Sequence, residues 1–136
     1  MGDGVSIRCS NCQNQEDFGI GSGMTTYMPF IKHDSRFGEN SEVRKAIEIW
    51  QNNENVRDVC SYQLCVCPEC KRIKHRLYIE LFLDKKLVFQ SNYICRKHNN
   101  AMSWIKDPTV SLGDNCECPK CGSHDLLCYD NGLMWD

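Results

Sequence analysis

Cys9/Cys12, Cys67/Cys70, Cys95/His98 and Cys118/Cys121 each set two soft metal donors three positions apart, with two residues between them. Thiolate and imidazole are the donors that zinc prefers. A two-residue turn brings both groups to one ion at about 2.3 Å per Zn–S bond, while nearby amides can point at the sulfurs. A lone CxxC also reads as a redox motif. Four pairs supply eight ligands, enough for two tetrahedral sites, so the spacing predicts two Zn2+ ions held by these eight residues. Closed four-ligand sites leave no open position for water or substrate, which predicts a structural, non-catalytic metal. Cys60, Cys65, Cys116 and Cys128 are left over. Cys65 and Cys116 could substitute as ligands; the simpler reading makes all four ordinary strand or loop thiols.

Eleven cysteines in 136 residues leave two explanations, a disulfide framework or metal sites. The chain opens Met1-Gly-Asp-Gly-Val-Ser-Ile-Arg, with neither a basic leader nor an apolar core segment, so a reducing, cytoplasmic setting is expected. The odd cysteine count and the regular spacing agree with metal ligation. The longest apolar stretch, Leu77 to Leu83, is interrupted by Glu80 and falls far short of the ~18–20 residues of a membrane span. A net charge of −2 gives no global attraction for nucleic acid, so such binding would need a local patch.

The elements that must position the pairs are legible in outline. Val5 to Arg8 reads as a strand entering the first pair, and Gln13 to Gly23 as a glycine-rich loop leaving it. Gly19-Ile-Gly-Ser-Gly lacks the Lys-Ser/Thr of a phosphate loop and reads as a turn. Ser41 is placed to cap a helix running to about Asn53, with Val43, Ala46, Ile47 and Trp50 at i, i+3, i+4 and i+7 forming its core face. Tyr62, Leu64 and Val66 alternate with more polar neighbours in a strand entering the second pair. Leu77, Ile79, Leu81 and Leu83 form a strand leaving it, turned back at Asp84-Lys85-Lys86 toward Leu87 to Ile94. A further short strand is expected over Ala101 to Ile105. Asp107, Asp114, Asp125 and Asp130 read as turn-forming or solubilising residues. Cys65-Val-Cys-Pro-Glu-Cys and Cys116-Glu-Cys-Pro-Lys-Cys share the form C-x-C-P-x-C. The expected fold class is a small metal-bound α+β protein, with zinc-ribbon or rubredoxin-like knuckles on antiparallel hairpins and one inserted helix. It would form a single domain over 1–136, with the helical insertion at about 24–58 and a central ribbon at about 60–105.

Four pairs combine in three ways: sequential, interleaved or nested. Spacing alone does not choose among them. Cys67 and Cys70, an intervening hairpin, then Cys95 and His98 resemble the zinc ribbon of transcript-cleavage factors and small RNA polymerase subunits over roughly residues 62–105, including the Asn92-Tyr-Ile strand. The resemblance implies that these four share one zinc. Cys9, Cys12, Cys118 and Cys121 would then join the chain's two ends, and this nested pairing is the preferred one. His98 replaces the usual fourth cysteine, and Asp84-Lys85-Lys86 lacks the paired acidic residues of the transcript-cleavage tip, so that activity does not carry over. The whole-chain layout, with its Gly132-Leu-Met-Trp-Asp tail, also looks like uncharacterised bacterial zinc-ribbon proteins. That resemblance implies architecture and no activity.

Function is expected to be that of a binding module docking on a protein or on nucleic acid. Lys71, Arg72, Lys74 and Arg76 follow the second pair and Arg96 and Lys97 lie within the third, making a candidate basic patch. Tyr78, Phe82, Phe89 and Tyr93 could stack on bases. A solvated rim over a covered core explains the same residues. Two other classes remain: a thiol-based redox or metal-handling protein using labile CxxC sites, and a small metal-dependent hydrolase with an incomplete ligand set.

Overall fold

The computed structural model describes residues 2–112 and 115–135, so Asp114 and the last residue of the tail, Asp136, lie outside the described residues. Alternating inward and outward residues build nine strands there, arranged in two main antiparallel sheets and one two-stranded ribbon. Strands β1 (Gly2–Cys9), β2 (Gln15–Ile20) and β9 (Leu126–Trp135) form the first sheet in the order β2-β1-β9. Strands β3 (Arg57–Val66), β4 (Ile73–Leu83), β5 (Lys86–Gln90) and β8 (Ser103–Trp104) form the second, in the order β5-β4-β3-β8. The ribbon pairs β6 (Ile94–Cys95) with β7 (Asn100–Ala101).

The loop expected over Gln13 to Gly23 is instead largely β2, paired in register with β1 from Arg8↔Gln15 to Asp3↔Ile20. The polar run Gln15 to Asp17 hides it, because its side chains face solvent and only Phe18 and Ile20 turn toward the core. Gly21 takes the positive φ expected of this glycine cluster, at 89°, and bridges to Tyr62 on β3. The turn at Asp84 and Lys85 places both residues at positive φ, 50° and 65°, as a two-residue hairpin turn demands.

The inserted segment holds α1 (Met28–Ile31), a 3-10 turn at Ser35–Phe37 and α2 (Ser41–Asn52). Asn40, not Ser41, caps α2. Its side chain accepts from the amides of Glu42 and Val43, two donors the helix itself leaves open. Val43 and Ala46 are buried as the helical stripe predicts, and with Met28 and Ile31 they pack on Cys60, Leu77, Ile79 and Leu81 of the second sheet. A second core joins the sheets: Val5 and Ile7 of β1 meet Leu64 and Val66 of β3, with Ile105, Leu112 and Cys116. The sheets are also tied by His75, whose Nε2 donates to the Gly19 carbonyl at 2.6 Å while the ring stacks on Tyr62. Asp107 caps the short helix α3 (Pro108–Ser111), where a simple turn was expected. At the chain's ends Trp135 donates to the Ile20 carbonyl at 3.1 Å, and a Cβ on Gly2 or Gly19 would run into its ring. No helix among the described residues is long and apolar enough to cross a membrane.

Candidate metal centres

The described residues contain two groups whose donor atoms all lie within 4.8 Å of one another: Cys9, Cys12, Cys118 and Cys121, and Cys67, Cys70, Cys95 and His98. Of the three combinations open to the sequence, the folded chain adopts the nested one. The first group closes the ends of the molecule and is here called the terminal centre; the second is the ribbon centre.

The four knuckles share one backbone form. In each, the amide of the residue four positions after the first ligand donates back to that ligand's carbonyl: Gln13 to Cys9 at 3.0 Å, Lys71 to Cys67 at 2.8 Å, Asn99 to Cys95 at 2.7 Å and Gly122 to Cys118 at 2.9 Å. The same four residues take positive φ, at 65°, 55°, 55° and 75°. The left-handed residue turns the chain back on itself, so that Cys9 and Cys118 donate to the carbonyls of Asn14 and Ser123, while Cys95 pairs with Asn100. Three knuckles therefore are the hairpin turns, β1–β2, β3–β4 and β6–β7, and do not merely flank a hairpin.

The donor spacing fits a tetrahedral ion. Four sulfurs at about 2.3 Å from a common centre lie about 3.8 Å apart. Here Cys9 and Cys121 are 3.6 Å apart, Cys12 and Cys118 3.6 Å, and Cys70 and Cys95 3.9 Å. A disulfide needs about 2.05 Å between sulfurs, and all eleven cysteines are free. His98 turns Nδ1 inward, 3.7 Å from both Cys67 and Cys95 Sγ. Its Nε2 faces the Glu69 carboxylate at 3.8 Å, and Glu69 in turn accepts from Asn100 Nδ2 at 2.7 Å. An imidazole with one nitrogen on the metal and the other toward a carboxylate is the usual arrangement of a ligating histidine.

The surroundings also suit thiolates. Lys120 directs its amide at Cys118 Sγ at 3.4 Å, and Asn11 directs its side-chain amide at Cys121 Sγ at 3.6 Å. The Ser123 amide and then Asn11 lower the Cys121 thiol to about 6, and His98 does the same for Cys95. At Cys12 the Asn14 amide pulls down, but desolvation and the neighbouring thiols prevail and leave it at about 11. Cys65 and Cys116 join neither group: both are buried, and burial raises each to about 11. Cys60 is likewise buried and raised by burial.

The basic residues line three neighbouring clefts that share some of their members. Arg72 and Lys97 line a crevice that Cys70, His98 and Cys118 also border, and Lys120 joins them there. Arg76 and Arg96 line a different cleft beside the start of α2, where Glu39 and Glu42 offset them. Lys74 lines a third cavity with Arg72 and Arg76, and the backbone of Lys71 makes the left-handed knuckle turn. Of the proposed stacking residues, Tyr78 and Tyr93 pack edge-on against Trp104. Residue pattern alone missed Glu69, Asn11 and Lys120. The available signal was position, since each lies between the two members of a ligand pair.

No family model, curated protein or solved structure matches this chain. The likeness to zinc ribbons therefore rests on the two ligand clusters and their knuckles.

Proposed function

We propose that the chain is a zinc-binding module of the zinc-ribbon kind, holding one structural Zn2+ in each centre and docking through its surface on a protein or nucleic-acid partner. One observation carries the metal reading: four donors per centre, at tetrahedral spacing, held by four copies of one turn. Bound zinc would supply a redox-inert cross-link whose four protein ligands leave no position for substrate. The chain's part is to pre-set the donors: the left-handed turns aim the thiols, Asn11 and the Lys120 amide favour the thiolate form, and Glu69 orients His98.

Native mass spectrometry with elemental analysis tests this on protein purified without added metal. Two zinc ions per chain are expected, and visible absorbance from iron or a persistent single ion would sink the reading. Thiol-based redox or metal handling is the second reading, favoured by the exposure of Cys12 and Cys121 in the terminal centre. Zinc release by dilute peroxide, reversed by reductant and zinc, would select it.

A further inference from the structure

A groove runs between the two metal centres. It consists of a cavity of about 320 Å3 and a crevice of about 370 Å3, which share Arg72, Glu117 and Pro119. Both ends carry cations, and the cavity end alone adds large apolar side chains. The cavity combines apolar walls from Ile7, Phe18, Ile73 and Leu126 with the exposed cations Lys74 and Arg76 and the exposed carboxylate of Glu16. Phe18 is backed by His75, their ring centres 5.6 Å apart. The crevice carries the exposed cations Arg72, Lys97 and Lys120 against one half-buried carboxylate, Glu117. Its walls are fixed by the knuckles, because the Glu117 amide donates to the Lys71 carbonyl at 2.8 Å and so joins the turn of one centre to the start of the other.

A cavity with one aromatic and aliphatic wall, opening onto the cluster of Arg72, Lys97 and Lys120, suits a ligand with a flat ring at one end and a phosphate at the other. We propose that this groove binds a nucleotide through its 5′-phosphate, either a free mononucleotide or the phosphorylated end of a strand. The phosphate lies among Arg72, Lys97 and Lys120, where guanidinium and ammonium groups make charge-assisted hydrogen bonds. The base enters the cavity against Phe18, and Glu16 accepts from the N–H groups on its edge. The site goes beyond the metal-scaffold reading and depends on it only in that both centres hold the groove's walls.

Calorimetry on the full chain, with the metal content of each sample measured first, tests the assignment. The probes are GMP, AMP, inorganic phosphate, and a short oligonucleotide with and without a 5′-phosphate. Saturable binding of GMP or of the 5′-phosphorylated oligonucleotide is expected, and the arm that binds more tightly identifies the source. Arg72→Glu and Lys97→Glu should each weaken that binding by about tenfold or more, and Phe18→Ala should weaken it while sparing any affinity for phosphate. Because Arg72 and Lys97 are exposed, their variants keep the test valid if Phe18→Ala fails to fold. Absence of binding by fully loaded protein overturns the proposal and leaves the metal reading intact. Phosphate binding as tightly as the nucleotides also overturns it. So does unchanged nucleotide affinity in the charge variants accompanied by easier metal loss, which would make these cations counter-charges of the thiolate centres.

Discussion

The terminal and ribbon centres are built from the same turn but hold different parts of the chain under different exposure. Cys12 and Cys118, which meet in the terminal centre, are 106 positions apart, whereas Cys70 and Cys95 in the ribbon centre are 25 apart. Closing the longer loop costs about 1.3 kcal/mol more, taking closure entropy as (3/2)RT times the logarithm of loop length. The terminal centre also exposes Cys12 and Cys121, while the ribbon centre buries Cys67 beside Cys65 and Met102. One shared turn therefore builds two candidate centres of unequal accessibility: one lies at the ends of the first sheet's strands β1 and β9, and the other is continuous with the main sheet.

Removing metal from both centres should have the largest effect and erase the comparison altogether. Structural zinc contributes about 10–16 kcal/mol of apparent binding energy in small fingers, against about 5–15 for a whole domain's net stability. A strong chelator is expected to abolish the cooperative thermal transition, and an unchanged melt after verified metal loss would refute a structural role. Single-ligand substitutions should separate the centres. Cys118→Ser is expected to remove amide-exchange protection from β1 and β9 while leaving β4 and α2 protected, whereas Cys67→Ser should cost protection throughout the second sheet. Equal loss everywhere in both variants would show that the two centres act as one cooperative unit.

Oxidation sharpens the difference in exposure. Under limiting peroxide the terminal centre is expected to lose its metal first, with modification mapping to Cys12 and Cys121 before Cys67; mass spectrometry of alkylated peptides reads the order. Glu69→Gln weakens only the ribbon centre, by about tenfold in competition with a chelating dye, because His98 loses the carboxylate facing its Nε2. The smallest effect concerns the shared turn. Gln13 and Lys71 hold positive φ where Gly122 does so freely. Gln13→Gly or Lys71→Gly should therefore raise stability by up to about 1 kcal/mol, and a fall would show that side-chain contacts outweigh the backbone strain.

The core face of α2, the alternation of β4 and the turn at Asp84 and Lys85 were legible because each follows from local periodicity or backbone sterics. Strand β2 was not, because Gln15 to Asp17 carry no apolar alternation and are held in the sheet by pairing with β1. The cap of α2 is not decided locally, because Asn40 and Ser41 are both residue types that cap well and only the entry angle of the chain brings the Asn40 oxygen to the free amides.

By itself the sequence determined the inventory of candidate ligands, since donor type and two-residue spacing are local properties that no fold can supply. It also determined where the turns lie, although the left-handed residue four positions into each is Gln, Lys, Asn or Gly and shares no recognisable chemistry. The tertiary structure alone decided which pairs come together in one candidate metal centre. That choice rests on β1 lying against β9 and on Glu117 reaching the Lys71 carbonyl, contacts between residues far apart in the chain. It also set how the basic residues are shared among neighbouring clefts, because side-chain direction along a strand and what packs beside it decide which cleft a charge lines.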